Sequence, residues 1–344
     1  MKLFRFYLFV VLSLLFSFDL AAQLSKPEWK VDFDFFFDNT EYARSTLTDD
    51  QTMAGVRLSP ELGLSWDNGH AIFAGVSGLK GFGSPNTLDK ISPIGYYRFS
   101  KSQMQFYAGI FLRKELLSNY SDFFFQDSIN YYVPTMQGLF WQLGSTEASF
   151  VNLWLDWNGK EDPTTHETFF AGISAQKKMN LFFVDFQSYL FHFANTKPRT
   201  PGFNVCDNGL AQLSTGIKLE NRSVLDNFLF SAGVLAGFER ERNVENQTHT
   251  PLGLVLRLKI EAYRLGIDNK LYIGDSRMKM YEKFGSGLYW GNPFLRSDYY
   301  LQSRLYWNIF NRDTVQGKLS AVFHYSEGKL MCEQVLTVRV SLGS

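Results

Sequence analysis

The chain has 344 residues, among them 34 Phe, 17 Tyr and 7 Trp, and its formal net charge is zero. The zero charge gives no electrostatic reason for binding nucleic acid, and two Cys residues exclude a disulfide framework. So many aromatic residues beside a mean hydropathy slightly below zero are unusual for a soluble protein. They are typical of a membrane β-barrel, which has aromatic belts outside and polar side chains in the lumen.

Residues 1–22 are predicted to be a secretory signal peptide. Lys2 and Arg5 precede an apolar run at 6–18, and Ala21 and Ala22 form a small-residue cleavage site before Gln23. The run is shorter than the roughly 20 residues that a membrane-spanning helix needs. No later stretch reaches about 18 uncharged apolar residues. We therefore expect residues 23–344 to form the mature domain without a helical anchor.

Alternation of apolar and polar residues with period 2 predicts β-strands through most of this domain. Residues 252–260 are one example, because Leu or Ile at even positions alternates with residues such as Arg257 and Lys259. The predicted strands are 30–40, 54–66, 70–82, 93–100, 104–115, 128–143, 148–158, 167–177, 180–194, 208–220, 227–239, 251–263, 265–274, 298–310, 314–325 and 330–342. The count is even, as in single-chain bacterial barrels. Fourteen strands is the alternative, because 220–227 is long for an inner turn and 326–328 short for an outer loop.

The predicted connections alternate between tight turns, such as 67–69 and 178–179, and long polar links, such as 41–53 and 116–127. This alternation is typical of an outer-membrane barrel, with short periplasmic turns and long external loops. A large soluble β-sandwich is the rival fold, but it has no reason to sort its loop lengths in this way. We predict an all-β fold, a transmembrane antiparallel up-and-down barrel of about 16 strands in the cell outer membrane.

The signal peptide ending in Ala21-Ala22-Gln23 and the aromatic, alternating strands resemble the outer-membrane barrels of Bacteroidota-type bacteria. The resemblance extends over the mature chain as a pattern and includes no motif of a named family. It implies an outer-membrane location, contact with outer-membrane lipid and insertion by the barrel-assembly machinery.

Charged residues on the polar side of the predicted strands are candidates for lining the lumen. They are Arg57, Glu61, Lys218, Arg257, Lys259, Glu261, Arg304, Lys318, Glu333 and Arg339. Mixed charge on facing walls favours a hydrated pore for small polar solutes. The alternative is a lumen closed by salt bridges or by an inserted loop.

Catalytic residue patterns are sparse. His324 and Ser326 lie two residues apart on one strand, so their side chains share a face, and they are the one pair considered for nucleophilic catalysis. An ordinary lumen histidine beside a loop serine is the alternative. Asp32 and Asp34 also share a face, as a paired-acid site would require, but two solvated carboxylates on the lumen face are the favoured interpretation. No histidines have metal-ligand spacing, and no cofactor is expected.

The long external link 274–297 contains an aromatic and glycine-rich stretch, 284–294. Phe284, Tyr289, Trp290 and Phe294 are predicted to fold into the mouth of the barrel as a constriction. An aromatic loop that packs on the rim is the alternative.

These observations predict a porin-type channel for passive passage of small hydrophilic solutes, with no cofactor and with homo-oligomer formation left open. The alternatives are an outer-membrane hydrolase acting on lipid or lipopolysaccharide, and a non-conducting barrel for surface binding. The pairing of Cys206 with Cys332 also stays open.

Overall fold

The computed structural model describes residues 25–43, 45–114, 116–222, 224–244, 247–277 and 291–344. Its strands are β1 Lys26–Glu41, β2 Gln51–Ser65, β3 His70–Gly81, β4 Lys90–Lys101, β5 Met104–Leu112, β6 Thr135–Gly144, β7 Phe150–Gly159, β8 Thr168–Met179, β9 Phe182–Phe193, β10 Cys206–Arg222, β11 Leu225–Glu241, β12 Leu252–Ala262, β13 Leu265–Gly274, β14 Tyr299–Asn311, β15 Val315–Ser326 and β16 Lys329–Gly343. One short helix, α1 Ile129–Tyr132, and a 3-10 helix, Pro293–Arg296, lie between strands.

These strands form one closed antiparallel barrel in which each strand pairs with its chain neighbours and β1 pairs with β16. The closing ladder runs from Lys30 opposite Gly343 to Glu41 opposite Cys332. Closure leaves no open sheet edge, which is the condition for a β-sheet to cross hydrocarbon because every backbone polar group must be paired there. The predicted fold and the count of sixteen strands are confirmed.

The two ends of the barrel differ in the length of their connections. Tight turns join β2 to β3, β4 to β5 and the following even–odd pairs at one end, which we call the inner end. The first of these turns needs Gly69, whose φ is +94° and where a Cβ atom would lie 2.4 Å from the Ser100 carbonyl oxygen. Most connections at the opposite, outer end are longer. We place the inner end in the periplasm and the outer end outside the cell, as in outer-membrane barrels.

The barrel wall is apolar outside and largely polar inside. Leu62 and Leu254 are 72% and 62% exposed on the outer surface, whereas Arg57 is 2% exposed on the inner surface. Aromatic side chains lie near both ends of the outer surface, with Trp29 and Trp307 toward the inner end and Trp157 and Tyr299 toward the outer end. These aromatic belts mark the two membrane interfaces.

One predicted strand boundary and one predicted loop are wrong. The strand predicted from residue 128 begins instead at Thr135, because residues 129–132 form helix α1. The link 116–127, predicted to be an external loop, is largely buried against the inner wall, since its Leu and Phe side chains are sheltered from water there. No helix among the described residues has both the length and the apolar character needed to cross a bilayer. Cys206, on β10, and Cys332, on β16, are not joined in a disulfide.

Candidate functional site

The β5–β6 connection crosses the lumen. We call residues 113–134, apart from 115, the lumen segment. Polar contacts join it to strands around the barrel: Arg57 Nε to Tyr131 O at 3.0 Å, Gln187 Nε2 to Asn119 O at 2.9 Å, Lys270 Nζ to Asp122 Oδ2 at 2.5 Å and Arg304 Nη2 to Asp127 Oδ2 at 3.0 Å. β2, β9 and the neighbouring pair β13 and β14 lie at three separate places around the ring. The segment is therefore a partition across the barrel.

Aromatic packing fills the space around this partition. Tyr131 stacks on Phe36 of β1 with ring centroids 4.2 Å apart. On the other side, Tyr120 accepts a 2.9 Å hydrogen bond from the indole of Trp154, and Phe124 is fully buried. The interior near the partition is thus a packed aromatic core rather than a water-filled channel.

Charge also holds the partition. Asp122 contacts both Lys270 and Gln302 on neighbouring strands. Burial disfavours the charged form of Asp122, but Lys270 and Arg304 outweigh that effect and hold the pKa of this carboxyl below its ordinary value. The carboxylate is therefore charged at neutral pH and ties the lumen segment to β13 and β14.

A buried ion pair joins the two ends of the lumen segment, and we call these joined ends its neck. Arg113 Nη2 lies 2.8 Å from Asp156 Oδ2 on β7, and both side chains are at most 4% exposed. Arg113 also donates to the carbonyl oxygens of Val133 and Thr135 at 2.7 and 3.0 Å. Asp156 accepts the backbone N–H of Gln137 as well. Two charged side chains therefore bring together the chain ends that enter and leave the segment.

We expect Asp156→Ala to lower the free energy of unfolding by about 3–5 kcal/mol, because it leaves the Arg113 guanidinium buried without its counter-charge. Urea unfolding of the protein in lipid vesicles measures this loss. The control is Asp67→Ala, which removes a pair with Lys26 whose side chains are both 69% exposed. That change should leave the free energy of unfolding nearly unchanged, because water screens an exposed pair. Equal losses in the two variants would contradict the anchoring role of Asp156.

The predicted lumen-lining residues make contacts along the inner wall. On the outer side, Arg304 binds Asp127 and Glu333 contacts His324. At the level of the partition and below, the contacts are Arg57 with Tyr131, Glu61 with Tyr96, Lys218 with Glu220, Arg257 with Asp268, Lys259 with Glu261, Glu261 with Tyr306, Lys318 with the Tyr306 ring and Arg339 with Asp32. Most of these charges are therefore used in pairs.

Two cavities lie on either side of the partition. The outer cavity has a volume of about 610 Å³ and opens among the outer loops, with Tyr42, Phe294, His324 and Glu333 in its wall. The inner cavity has a volume of about 460 Å³ and is lined by side chains such as Lys259 and Lys318. Asp127 and Arg304 line both cavities. Their ion pair therefore stands where the two spaces would join.

His324 lies in the wall of the outer cavity. Its Nε2 atom lies 3.0 Å from Glu333 Oε2 and 3.2 Å from the Tyr42 hydroxyl, and its Nδ1 atom lies 2.7 Å from the Tyr300 hydroxyl. Phe294 stacks on the imidazole at a centroid distance of 4.8 Å. The contacts fit a tautomer in which Nε2–H donates to Glu333 and Nδ1 accepts a hydrogen bond from the Tyr300 hydroxyl. A carboxylate that orients an imidazole in this way is the arrangement of a general base.

Ser326 lies on the same inner face of β15 as His324 but makes a different contact. Its hydroxyl is fully buried and donates to the Tyr299 carbonyl oxygen at 3.3 Å. The ring nitrogens of His324 instead contact Tyr42, Tyr300 and Glu333. The structure thus brings His324 to the cavity wall without a contact between the imidazole and Ser326.

The acid pair beside His324, formed by Asp38 and Glu333, was not predicted from the sequence. Asp38 lies close enough to Glu333 for the two carboxyl groups to interact, and the Asp38 Oδ1 atom is buried without a hydrogen-bond partner among the described residues. The predicted acid pair is divided between different cations, because Asp32 contacts Arg339 and Asp34 contacts Lys114. Asp38 lies on the same face of β1 as Asp32 and Asp34, and this alternation is the sequence feature that could have predicted its place on the inner wall.

The predicted aromatic constriction is described only in part. Phe294 is buried over His324, and the preceding Gly291 donates its backbone N–H to the Phe124 carbonyl of the lumen segment. Phe284, Tyr289 and Trp290 lie outside the described residues. Within the described ranges, no three His, Cys, Asp or Glu side chains are grouped so as to hold a metal ion.

A family model described as lipid A 3'-O-deacylase-type matches residues 23–341. No curated protein matches the sequence. Among solved structures, outer-membrane expressed OmpT of Vibrio cholerae is similar with a TM-score of 0.56 and 8% identity, covering 94% of this chain and 99% of that chain. The anion-selective porin from Comamonas acidovorans has a TM-score of 0.54 and 10% identity, covering 92% of this chain and 99% of that chain. At such identities the likeness shows the shared barrel fold.

Proposed function

Because the chain belongs to the lipid A 3'-O-deacylase-type family and is an outer-membrane β-barrel, we propose that it hydrolyses an ester-linked acyl chain of lipid A. The observation that carries this proposal is the His324–Glu333 pair in the wall of an outward-opening cavity. Lipid A lies in the outer leaflet, at the same end of the barrel. The hydrolase named as an alternative in the sequence analysis thus becomes the leading proposal.

The proposed reaction uses water as the nucleophile. A water molecule takes the place of the Tyr300 hydroxyl at His324 Nδ1, which is the ring nitrogen not bonded to Glu333. The water oxygen attacks the acyl carbonyl carbon while one of its protons passes to Nδ1. Glu333 stabilises the imidazolium that forms. The acyl C–O bond then breaks, and the sugar oxygen takes the proton from Nδ1, so that a fatty acid and a free hydroxyl group leave.

The lumen supports a hydrolase more than an open pore. A barrel of sixteen strands is wide enough to leave an aqueous channel, yet here the lumen segment and its aromatic packing fill the middle. A passive channel, the leading interpretation of the sequence, is the second candidate. It is supported by the porin-like fold and by the two cavities that meet at the Asp127–Arg304 pair. Conduction would require the lumen segment to move.

Release of fatty acid from purified lipid A by the detergent-solubilised protein tests the leading proposal. Fatty acid and singly deacylated lipid A should appear in equal amounts. No release from folded protein, in the presence or absence of added divalent cations, would remove the hydrolase proposal and leave the channel.

We expect Ser326→Ala to keep activity within about threefold of the unchanged protein, because Ser326 is bonded away from the imidazole and a direct attack by water needs no serine. The same fatty-acid assay measures it. A loss of about 100-fold or more would instead point to a covalent acyl-serine route.

Processing and assembly are further proposals. We propose that residues 1–22 are removed on export and that 23–344 form the barrel, which the intact mass of the protein extracted from membranes tests. We also propose a homo-oligomer, since the in-vitro folded OmpT of Vibrio cholerae, similar at a TM-score of 0.54 and 8% identity over 92% of this chain and 99% of that chain, is described as a trimer form. Blue native electrophoresis tests it.

A further inference from the structure

A row of aromatic and charged side chains crosses five strands on the membrane-facing surface near the outer end. Cross-strand pairing places Trp157 beside Phe169, Phe169 beside His192, His192 beside Asp207, and Asp207 beside Arg240. Arg242 lies two residues farther along the chain, just past the end of β11 at Glu241, and its Nε donates to Asp207 at 2.7 Å. We call these six residues the rim patch.

The contacts within the rim patch order it. The rings of Trp157, Phe169 and His192 stack in sequence, with centroid distances of 5.1 and 4.9 Å. His192 Nδ1 lies 3.0 Å from Asp207, so this carboxylate is shared between His192 and Arg242. Half of the Arg242 side chain stays exposed. An ordered platform of rings therefore adjoins a partly exposed guanidinium.

The rim patch contains one further guanidinium group, that of Arg240, besides the two groups that contact Asp207. Arg240 is half-buried, and its Nε atom is buried with no hydrogen-bond partner among the described residues. Two guanidinium groups and one imidazole surround a single carboxylate. Guanidinium groups donate in a fork that matches phosphate geometry. The patch therefore favours an anionic ligand.

The rim patch is at the boundary of the hydrocarbon. The next outward-facing row toward the membrane centre is entirely apolar and consists of Leu155, Ala171, Leu190, Gly209 and Phe238. A lipid whose head group lies on the patch can therefore place its acyl chains along this row. In a membrane the charged row lies at head-group height, where aromatic belts are found.

The opposite wall of the barrel has a different character at this height. β1 is eight places from β9 in the ring of strands, and its outward row consists of Asn39 between Thr52 and Gln334, with Glu41 above. That row carries amides and a carboxylate but no cation. A phosphate group therefore favours the rim patch.

We propose that the rim patch binds a phosphorylated glycolipid of the outer leaflet, with the phosphate between Arg240 and Arg242 and the sugars of the head group extending across His192 toward the rings of Phe169 and Trp157. Aromatic faces next to a phosphate-binding group fit such a head group better than a simple phospholipid. The site is separate from the cavity around His324, which opens near β1, β15 and β16. It is a lipid-binding surface rather than the hydrolytic site.

The test measures the lipid that stays bound when folded protein is moved from lipid A-containing micelles into plain detergent, counted by native mass spectrometry. The double variant Arg240→Gln/Arg242→Gln should retain lipid A at least about tenfold more weakly, because the phosphate loses its charged hydrogen bonds to both guanidinium groups. The control is Arg264→Gln/Arg312→Gln, which makes the same charge change at exposed inner turns. It should retain lipid A like the unchanged protein.

Dephosphorylated lipid A distinguishes the phosphate from the acyl chains and should be retained weakly by all three proteins. Equal retention of phosphorylated and dephosphorylated lipid, or equal losses in both double variants, would overturn the proposal. A band shift on heating checks that each variant is folded. Deacylation leaves the phosphate in place, so the result does not depend on the proposed hydrolysis.

Discussion

Replacing His324 by Gln should lower the rate of fatty-acid release from lipid A by about 10²–10⁴-fold, the usual contribution of a general base. Gln fills a similar volume and can still hydrogen-bond to Glu333 and Tyr300, so the outer cavity should keep its shape. It cannot take a proton from water. The assay compares initial rates of fatty-acid release at saturating lipid A, which isolates the chemical step from binding.

Two comparisons make the His324 result specific. His70→Gln changes a histidine at the inner end that contacts Tyr97, and it should leave the rate unchanged. Glu333→Gln should lower the rate less than His324→Gln, because it weakens the orientation of the imidazole without removing the base. A His324→Gln protein that is folded, shown by its band shift on heating, and fully active would remove His324 from the mechanism.

The fold was predictable because the outer wall repeats a simple requirement. Every strand that crosses hydrocarbon must present an apolar residue at alternate positions, and this alternation marks β12 almost to its ends: the predicted strand 251–263 corresponds to Leu252–Ala262. Turn residues such as Gly69 separate the strands. Both signals are local, so one sequence is enough to read them.

The lumen segment was not predictable from the same signals. Its aromatic residues indicate burial, but they follow no period of two, because the segment packs on several strands rather than pairing with one. Its position in the lumen is set by contacts such as Asp122 with Lys270 and Asp127 with Arg304, which join distant parts of the chain. Sequence spacing carries no information about such contacts.

The site around His324 was predictable only in part. His324 was identified because it lies on the polar face of a strand, and Glu333 because of the same alternation. Their contact follows from the register of the β15–β16 hairpin. The approach of Asp38 to Glu333 appears only when the barrel closes and brings β1 beside β16. Tyr42 and Tyr300 resemble many other tyrosines in this aromatic chain, and the sequence does not distinguish them as partners of the imidazole.

Removing the core of the lumen segment should convert a barrel that passes little ion current into a conducting one. In the variant, a short Gly–Ser linker replaces residues 116–131, while Arg113 and the chain from Val133 onward keep the neck with Asp156 closed. In planar bilayers the unchanged protein should pass little ion current, because the partition and the Asp127–Arg304 pair separate the two cavities. The variant should show stepwise conductance, as expected for an open sixteen-strand barrel.

The matched control shortens a different outer loop. Residues 84–87, between β3 and β4, are largely exposed and contact their own loop. Their deletion should therefore leave the ion current as low as that of the unchanged protein. The milder variant Asp127→Asn removes one ion pair but keeps the aromatic packing around Phe124, and brief openings rather than a steady current are expected. Steady conductance by the unchanged protein would show that the partition opens by itself and would make the channel the leading function. A silent but folded deletion variant would mean that other parts of the chain close the lumen, and the partition would lose its assigned role.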